Sequence, residues 1–169
     1  SQPVSPASTI SAGPWASTRG LAMDNGRIFA EEQTGKMVAL DANTGKQVWA
    51  NQISPSSMGI GLSQPPTIFD GMVLGSTSGG DTGFPCYAFA LDEKTGKQKW
   101  ETPLVDSKKL TVGFVGAPLF VDGKVIIGSQ GGEWPYRGPI FGVEGDSGKK
   151  LWTFFTAGGN EGEESDQRK

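Results

Sequence analysis

The sequence predicts an all-β protein built from β-propeller blades, about three of them, each a four-stranded antiparallel sheet. The first observation is a motif of the form Ala-Leu-Asp-x-x-Thr-Gly-Lys-x-x-Trp, which occurs over residues 39–49, 90–100 and 142–152. The second is its period, since the motif glycines at 45, 96 and 148 lie 51 and then 52 residues apart. The third is that no stretch shows a sustained helical apolar period with caps. Such a repeat indicates an array of units that cannot bury their apolar faces alone.

The middle copy shows the elements of one blade in order. Strands are expected over residues 66–69, 72–76, 86–91 and 97–102. The dipeptide Asp70-Gly71 turns the chain between the first two strands, and Lys94-Thr-Gly96 turns it between the last two, because glycine adopts a positive φ at low steric cost. The other two copies carry matching turns at Asp24-Asn-Gly26, Asn43-Thr-Gly45, Val121-Asp-Gly123 and Asp146-Ser-Gly148. A flat β-sandwich of hairpins is the alternative fold, and the strict period favours the propeller.

The composition excludes several classes of function. Among 169 residues there is no histidine, which removes Ser-His-Asp hydrolysis, Cys-His nucleophiles and histidine metal sites. The one cysteine, Cys86, allows no internal disulfide and is expected to be a small buried residue at the start of a strand. A net charge of −3 argues against a nucleic-acid partner, and no apolar run approaches the ~20 residues that span a bilayer. Any chemistry must use carboxylates, Arg, Lys or a bound cofactor.

The chain divides into three parts. Residues 1–14 are Ser/Pro-rich and are interpreted as a leader or linker, 15–157 as three propeller blades, and 158–169 as a polar, acidic tail. Closed propellers need about four or more blades, and an open set exposes two sheet edges. We therefore expect further blades, from other copies, a partner chain or a longer form of this protein, to complete the ring.

Two loops between the second and third strands are enlarged, and these could hold chemistry. They run from Ser78 to Pro85 and from Gln130 to Gly138, whereas the first copy has only residues 32–35 there. Glycines let the backbone approach a ligand closely, and a carboxylate just after Gly-Gly can reach a hard cation. Asp81 and Glu133 occupy that position. The alternative is that each loop is only a surface turn, with Trp134, Pro135 and Tyr136 covering the blade.

The repeated motif resembles that of the quinoproteins, the eight-bladed propeller dehydrogenases that use pyrroloquinoline quinone (PQQ). The resemblance covers roughly residues 15–160 and implies a tryptophan-docking motif, in which the Trp is buried between neighbouring blades and the Asp accepts hydrogen bonds from turn amides. The third copy departs from the pattern, with Glu144 where Asp41 and Asp92 stand and Gly142 in place of Ala. The same repeat also builds non-catalytic propellers, such as the bacterial outer-membrane assembly scaffold lipoprotein.

The resemblance also implies site residues. PQQ-dependent alcohol dehydrogenases carry Ser-Gly-Ala-Glu-x-x-x-Arg-Gly in this loop, and its Glu binds the calcium or lanthanide ion under the quinone. The matching residues imply Glu133 as the metal ligand, with Arg137-Gly138 downstream and Asp81 as the rival ligand in the second copy. Arg19 resembles an arginine that pairs with a PQQ carboxylate. The implied cofactor-binding set is Arg19, Ser78, Gly79, Gly80, Gln130, Gly131 and Gly132.

Two departures from the family pattern bear on that site. Gln130 stands where the family has Ser, and residues 11–14 stand where many members carry adjacent cysteines. The family's catalytic Asp and its other metal ligands lie in later blades, so no catalytic residue is assigned and this chain alone holds an incomplete active site.

The function that the resemblance implies is a segment of a periplasmic or secreted dehydrogenase that oxidises an alcohol or sugar hydroxyl, with PQQ and a metal ion. The alternative is a non-catalytic propeller module that serves as a scaffold in a larger assembly. We expect Glu133 and Arg19 to face the same side of the propeller near its axis. We also expect the three motif tryptophans to occupy equivalent, largely buried positions.

Overall fold

In a computed structural model, the chain is described over residues 19–32, 34–54, 61–79, 85–106, 112–130 and 138–156. These residues form three four-stranded antiparallel sheets with the strands of each sheet in chain order, and they contain no helix. The all-β blade prediction is therefore confirmed. The predicted leader and tail lie outside the described residues.

We number the sheets as blades 1 to 3. Blade 1 consists of β1 (Ala22–Asp24), β2 (Arg27–Glu32), β3 (Lys36–Asp41) and β4 (Gln47–Gln52). Blade 2 consists of β5 (Thr67–Phe69), β6 (Met72–Ser76), β7 (Cys86–Asp92) and β8 (Gln98–Val105). Blade 3 consists of β9 (Leu119–Val121), β10 (Lys124–Gly128), β11 (Pro139–Glu144) and β12 (Lys150–Phe155).

Tight two-residue turns join the first and second strands of every blade. Asn25, Asp70 and Asp122 have φ angles of 45°, 47° and 47°, and each is followed by a glycine with positive φ. Two successive residues with positive φ match the right-handed twist of a β-hairpin. Asn and Asp tolerate this conformation better than other non-glycine residues. The hairpins predicted from the Asp-Gly and Asn-Gly pairs are confirmed.

The motif aspartate and glycine build the turn between the third and fourth strands. Asp92 Oδ1 accepts hydrogen bonds from the Thr95 amide at 2.8 Å and the Thr95 hydroxyl at 2.7 Å. Asp41 makes the same bonds to Thr44. The bonds from the Thr hydroxyls have the largest effect, followed by those from the Thr amides, and together they lower the pKa of both carboxyl groups from the ordinary value. The motif is thus a self-contained local structure that stops one strand and starts the next.

The first strands lie side by side along the inner edge of the array. β1 contacts β5, and β5 contacts β9. The rings of Phe69 and Phe120 stack with centroids 3.5 Å apart, and the Thr67 hydroxyl donates to the Pro118 carbonyl. The fourth strand of each blade therefore lies at the outer edge, which is the arrangement of consecutive propeller blades.

The core consists of two apolar clusters, one between each pair of neighbouring blades. Phe29, Trp49 and Phe89 belong to the cluster between blades 1 and 2, and Trp100 and Phe141 belong to the cluster between blades 2 and 3. The exposed fractions of Trp49 and Trp100 are 8% and 7%, as expected from the motif. Among the described residues, no sheet follows blade 3.

Trp152 corrects one expectation, because it is 40% exposed. The prediction that all three motif tryptophans are largely buried is wrong for this residue. Among the described residues, its ring packs on its own blade, over Gly142.

Cys86 is the first residue of β7 and is buried, as predicted, and its thiol donates to the Val112 carbonyl at 3.2 Å. Within the described ranges, no helix has the length and apolar character needed to cross a bilayer.

Candidate functional site

The two ends of the blades carry different structures, which we call the turn face and the loop face. The turn face holds the tight hairpin turns and the motif turns, which are joined in blade 1 by a hydrogen bond from the Ala42 amide to the Gly26 carbonyl at 2.9 Å. The loop face holds the entry to each first strand and the connection between each second and third strand. It therefore contains both glycine-rich loops that the sequence singled out.

Contacts between blades show that the loop ends of all three blades point to one side. At this end a carboxyl oxygen of Glu31 accepts a hydrogen bond from the Gln64 amide at 2.8 Å, which joins blade 1 to blade 2. The Thr67 bond to Pro118 joins the corresponding end of blade 2 to blade 3. Residues on the loop face of different blades can thus act on one ligand.

Arg19 lies on the loop face, at the junction of blades 1 and 2. The next residue, Gly20, packs so closely on Pro65 that a Cβ placed there would lie 2.7 Å from the Pro65 Cγ. This contact fixes the backbone beside Arg19, whose side chain is exposed. No hydrogen bond or ion pair joins Arg19 to another residue of the described ranges. The exposed guanidinium of Arg19 can therefore bind an anionic group from solution.

Ser78 and Gly79 lie at the base of the second-copy loop. The Ser78 amide donates to the Gly61 carbonyl at 2.8 Å, and Gly79 has a φ of 105°, which favours glycine. Thr77 closes the base, because its amide donates to the Tyr87 carbonyl and its hydroxyl accepts the Tyr87 amide, both at 2.9 Å. The base of this loop is therefore anchored on both sides.

Gln130 occupies the place of Ser78 in blade 3. Its amide donates to the Gly113 carbonyl at 2.8 Å, which repeats the bond between Ser78 and Gly61. Its carboxamide lies over Gly113, where an added Cβ would come within 2.6 Å of Gln130 Nε2. In this structure the half-buried Gln130 side chain thus packs on its own blade, and a role toward a cofactor stays a prediction.

The remaining candidates, Gly80, Asp81, Gly131, Gly132 and Glu133, lie outside the described residues, as do Arg137 and the Trp134 to Tyr136 segment. Within the part of the chain that is described, no group of three or more acidic or cysteine side chains is placed to hold a metal ion. The metal ligands therefore stay predictions, and the structure brings Arg19, Ser78, Gly79 and Gln130 to one face.

A buried polar cluster on this face was missed by the sequence reasoning. It consists of Glu31, Gln64 and Ser76, all almost fully buried. Besides the bond between Glu31 and the Gln64 amide, the Gln64 side chain donates to the Ser76 carbonyl and hydroxyl. Burial raises the pKa of the Glu31 carboxyl to about 8, and the bond from the Gln64 amide lowers it by less. Glu31 is therefore mostly protonated at neutral pH.

A signal for this cluster is present in the sequence. Phe29 and Glu31 lie on the same, core-facing side of β2. Glu31 follows the turn glycine of its hairpin by five residues, and the equivalent positions in blades 2 and 3 hold Ser76 and Gly128. An acid at a core-facing position of one copy only is unusual enough to mark a special environment. Blade 3 lacks the cluster, since Gly116 and Gly128 stand where blade 2 has Gln64 and Ser76. The Ser129 hydroxyl in blade 3 is buried without a partner among the described residues.

Comparison with known proteins supplies the family context. The PQQ_2 family model, described as outer membrane protein assembly factor BamB, matches residues 4–168. The quinohemoprotein alcohol dehydrogenase ADH IIB of Pseudomonas putida is 31% identical over 147 residues, covering 85% of this chain and 21% of the relative. The lanthanide-dependent methanol dehydrogenase of Methylacidiphilum fumariolicum is 38% identical over 82 residues, covering 48% of this chain and 13% of the relative. The chain thus spans about a fifth or less of the length of these curated relatives.

A solved structure supports the fold. Quinohemoprotein alcohol dehydrogenase ADHIIG from Pseudomonas putida HK5 superposes on the chain with a TM-score of 0.71 at 19% identity, covering 82% of this chain and 26% of that one. At this identity the likeness shows that the three blades have the fold of a segment of such an enzyme, and no more.

Proposed function

Because the chain belongs to the PQQ_2 family of β-propeller repeat proteins, we propose that it supplies blades to a PQQ-dependent dehydrogenase that oxidises an alcohol or sugar hydroxyl. The two curated relatives reported above are a quinohemoprotein alcohol dehydrogenase and a lanthanide-dependent methanol dehydrogenase, which supports alcohol oxidation over the other functions open to the fold. The chain matches only a fraction of their length, so the proposed active site is shared with blades that the chain does not contain.

The observation that carries the proposal is the convergence of Arg19, Ser78 and the bases of both glycine-rich loops on one face. Those are the residues for which the family resemblance implies a cofactor role. Their sequence separation is large, and the blade-to-blade contacts at Gln64 and Pro118 bring their segments to the same side. A cofactor that lies across several blades needs such a common face.

The described residues fit a flat, carboxylate-bearing cofactor. Arg19 is exposed, its backbone is fixed by Gly20 on Pro65, and its planar guanidinium can pair with a carboxylate through two hydrogen bonds. Gly79 leaves room for a ring to approach the backbone of the second loop. When bound, PQQ would accept the electrons of the alcohol, and the metal ion would act as a Lewis acid at the quinone oxygens.

Glu133 is the proposed ligand for that ion, calcium or a lanthanide, and Asp81 is the rival ligand. Each follows a Gly-Gly pair, and a carboxylate is the oxygen ligand that hard cations prefer. Arg137-Gly138 downstream of Glu133 favours the third loop. The second loop retains the Ser of the family pattern at Ser78, which is the reason that Asp81 stays the rival ligand.

The proposal includes the setting of the protein. Further propeller blades, from other copies or from a partner chain, would complete the ring. A periplasmic or secreted location follows from the family resemblance and from no other observation.

Titration of PQQ with La³⁺ or Ca²⁺ tests the function. The isolated chain should bind weakly or not at all, because it supplies only part of the site, whereas the ring-completed assembly should shift the cofactor absorbance. In that assembly, Glu133→Gln should abolish metal-dependent binding if the third loop holds the ion, and Asp81→Asn should do so if the second loop holds it. Glu144→Gln, on the turn face, is the matched control and should bind as the unchanged protein does.

A scaffold module is the competing function, and the match to a family model described as an outer membrane protein assembly factor is the observation in its favour. Failure of the completed assembly to bind PQQ with any of these ions would put the scaffold first. Retention of binding in both loop variants would leave the dehydrogenase but move the metal site elsewhere.

A further inference from the structure

The 61–65 segment, which leads into β5, lies between two of the cofactor candidates on the loop face. The carbonyl of its first residue accepts the Ser78 amide at 2.8 Å, and the two residues form an antiparallel bridge. Its last residue, Pro65, packs on Gly20, the neighbour of Arg19. One short segment therefore contacts the backbone at both candidates, which come from blade 1 and blade 2.

Gln64 anchors this segment in two directions. Its backbone amide donates to a carboxyl oxygen of Glu31 on β2 at 2.8 Å. Its side-chain amide donates to the carbonyl and the hydroxyl of Ser76, the last residue of β6. Leu62, on the same segment, is fully buried in the apolar cluster between blades 1 and 2. The segment is thus held by blade 1 on one side and, on the other, by the strand that leads into the second loop.

The bonds at Ser76 lie within two residues of the second loop. Thr77 follows and bonds the backbone of Tyr87, where the chain returns from the loop, through both its amide and its hydroxyl. Ser78 comes next, and its amide bonds back to the 61–65 segment. A displacement of Gln64 would therefore move Ser76 and Ser78 together, because both residues bond to the same short segment.

Blade 3 has the backbone part of this arrangement without the side chains. The Gln130 amide donates to the Gly113 carbonyl at 2.8 Å, which is the counterpart of the backbone bond in blade 2. Gly116 and Gly128 stand at the two positions that carry the side-chain bonds in blade 2, so those bonds cannot form. The chain therefore contains one loop base that is held by buried side chains and one that is not.

Glu31 is the member of this arrangement that titrates near neutral pH. The 61–65 segment, β5 and β6 contain no charged residue. The charged residues on the neighbouring parts of blade 1 are Arg19, Asp24, Arg27, Glu32, Lys36 and Asp41. Burial raises the pKa of the Glu31 carboxyl to about 8, so its charge appears only as the pH passes that value. A charge at this buried position destabilises the junction that Gln64 needs.

We propose that Glu31 and Gln64 are positioning residues for the loop face, and that they hold the 61–65 segment so that Arg19 and the base of the second loop keep a fixed separation for one ligand. Both residues act through the backbone of others, because their side chains are buried. The identity of the ligand, PQQ, rests on the proposed function. The positioning itself rests on the contacts of the described residues.

Hydrogen exchange of two backbone amides in the 169-residue chain tests the positioning without any cofactor. Gln64→Leu should lower the protection factor of the Ser78 amide by roughly tenfold or more, because the buried bonds that hold the segment are lost. The Gln130 amide, at the base of the third loop, should keep its protection and serves as the internal reference. Ser63→Ala, on the same segment, is the matched control and should leave both amides unchanged.

The pH dependence of the same ratio tests Glu31. In the unchanged chain, the protection of Ser78 relative to Gln130 should fall as the pH rises through about 8. Glu31→Gln keeps an oxygen for the Gln64 amide and removes the titration, so the ratio should stay constant. A merely structural loss would lower both amides alike and would not follow the titration of one carboxyl group. This comparison also decides the proposal if Gln64→Leu fails to fold.

Equal losses at the two amides in Gln64→Leu, or an unchanged Ser78, would overturn the positioning role. A ratio that ignores pH in the unchanged chain, or still falls in Glu31→Gln, would overturn the part of Glu31. In the ring-completed assembly, Gln64→Leu should raise the dissociation constant for PQQ with Ca²⁺ by roughly tenfold or more. Unchanged PQQ binding beside a less protected Ser78 would overturn the link to the ligand. An unchanged assembly that binds no PQQ would count against the proposed function instead, and the exchange result would stand.

Discussion

The turn face and the loop face hold the same blades together by different means. On the turn face, each junction uses the same contact, a Trp indole bonded to a turn carbonyl and seated on a turn glycine. On the loop face, the junction of blades 1 and 2 uses a buried Glu31 bonded to Gln64, and blade 3 has glycines at the corresponding positions of Gln64 and Ser76. The comparison teaches that the turn face joins successive blades by one repeated contact, whereas the loop face has a junction contact, between Glu31 and Gln64, that occurs at one junction of the described residues.

The comparison is tested most strongly by removing a tryptophan from the turn face. Trp100→Ala should lower the free energy of unfolding by about 3–5 kcal/mol, because it leaves a cavity between blades 2 and 3 and an unbonded Gly145 carbonyl. Trp152→Ala should change it far less, since that ring is 40% exposed. Urea denaturation of both variants measures the difference. Equal losses would show that burial in the junction is not what the motif provides.

The loop-face junction should make the free energy of unfolding depend on pH. Burial raises the pKa of Glu31 from 4.5 to about 8, so between these values the folded chain binds a proton that the unfolded chain does not. The free energy of unfolding should therefore fall as the pH rises from about 4.5 to about 8, by on the order of a few kcal/mol. Glu31→Gln keeps an oxygen for the Gln64 amide and removes the titration. It should flatten this slope and stabilise the chain above pH 8.

Glu32→Gln is the control for that measurement. Glu32 is the neighbouring acid, partly exposed and paired with Lys36 at 3.2 Å, so its replacement should leave the slope in place. A slope that survives in Glu31→Gln would mean that another group dominates the pH dependence, and that the loop-face junction is not strained by a buried charge at alkaline pH.

Two glycine substitutions compare a motif turn that is covered by a tryptophan ring with one that is not. Gly45→Ala should lower the free energy of unfolding by about 1–2 kcal/mol, which is the cost of placing alanine in the left-handed conformation, because a Cβ at this position meets no other atom of the described residues. Gly96→Ala has nearly the same φ but would also push its Cβ against the Trp49 ring, so it should cost more. Thermal unfolding of the two variants at one pH compares them. Equal costs would mean that the ring moves aside freely.

The two faces also differ in how far the sequence predicts them. The hairpins and motif turns are predictable residue by residue, because Asp92 bonds Thr95 three positions away and the pattern occurs in three copies. The bond between Glu31 and Gln64 spans 33 residues and occurs in one copy, so the core-facing acid marks an unusual position but no repeat identifies its partner. The exposure of Trp152 escaped prediction for another reason, since the motif reports a residue's place in its blade and not whether a neighbour covers it. Of the site, the sequence supplied Arg19 and the loops, and the fold supplied their common face.

The smallest expected effect lies in the turns. Hydrogen bonds from Thr95 lower the pKa of Asp92 from its ordinary value of 3.8. The ionised Asp92 therefore adds to the free energy of unfolding at pH values above 3.8, and this contribution is lost as the pH falls below that value. Because Asp92 lies in an exposed turn, Asp92→Asn should reduce the free energy of unfolding at pH 7 by at most about 1 kcal/mol. The deficit should shrink at pH 3, where the carboxylate of the unchanged chain begins to be protonated. Thermal melts at the two pH values measure it, with Asp146→Asn in the corresponding turn of blade 3 as the control. If the loss of unfolding free energy in Asp92→Asn is larger at acid pH, the charge of Asp92 destabilises the turn. The stabilising role of the motif acid would then rest on its hydrogen-bond geometry alone.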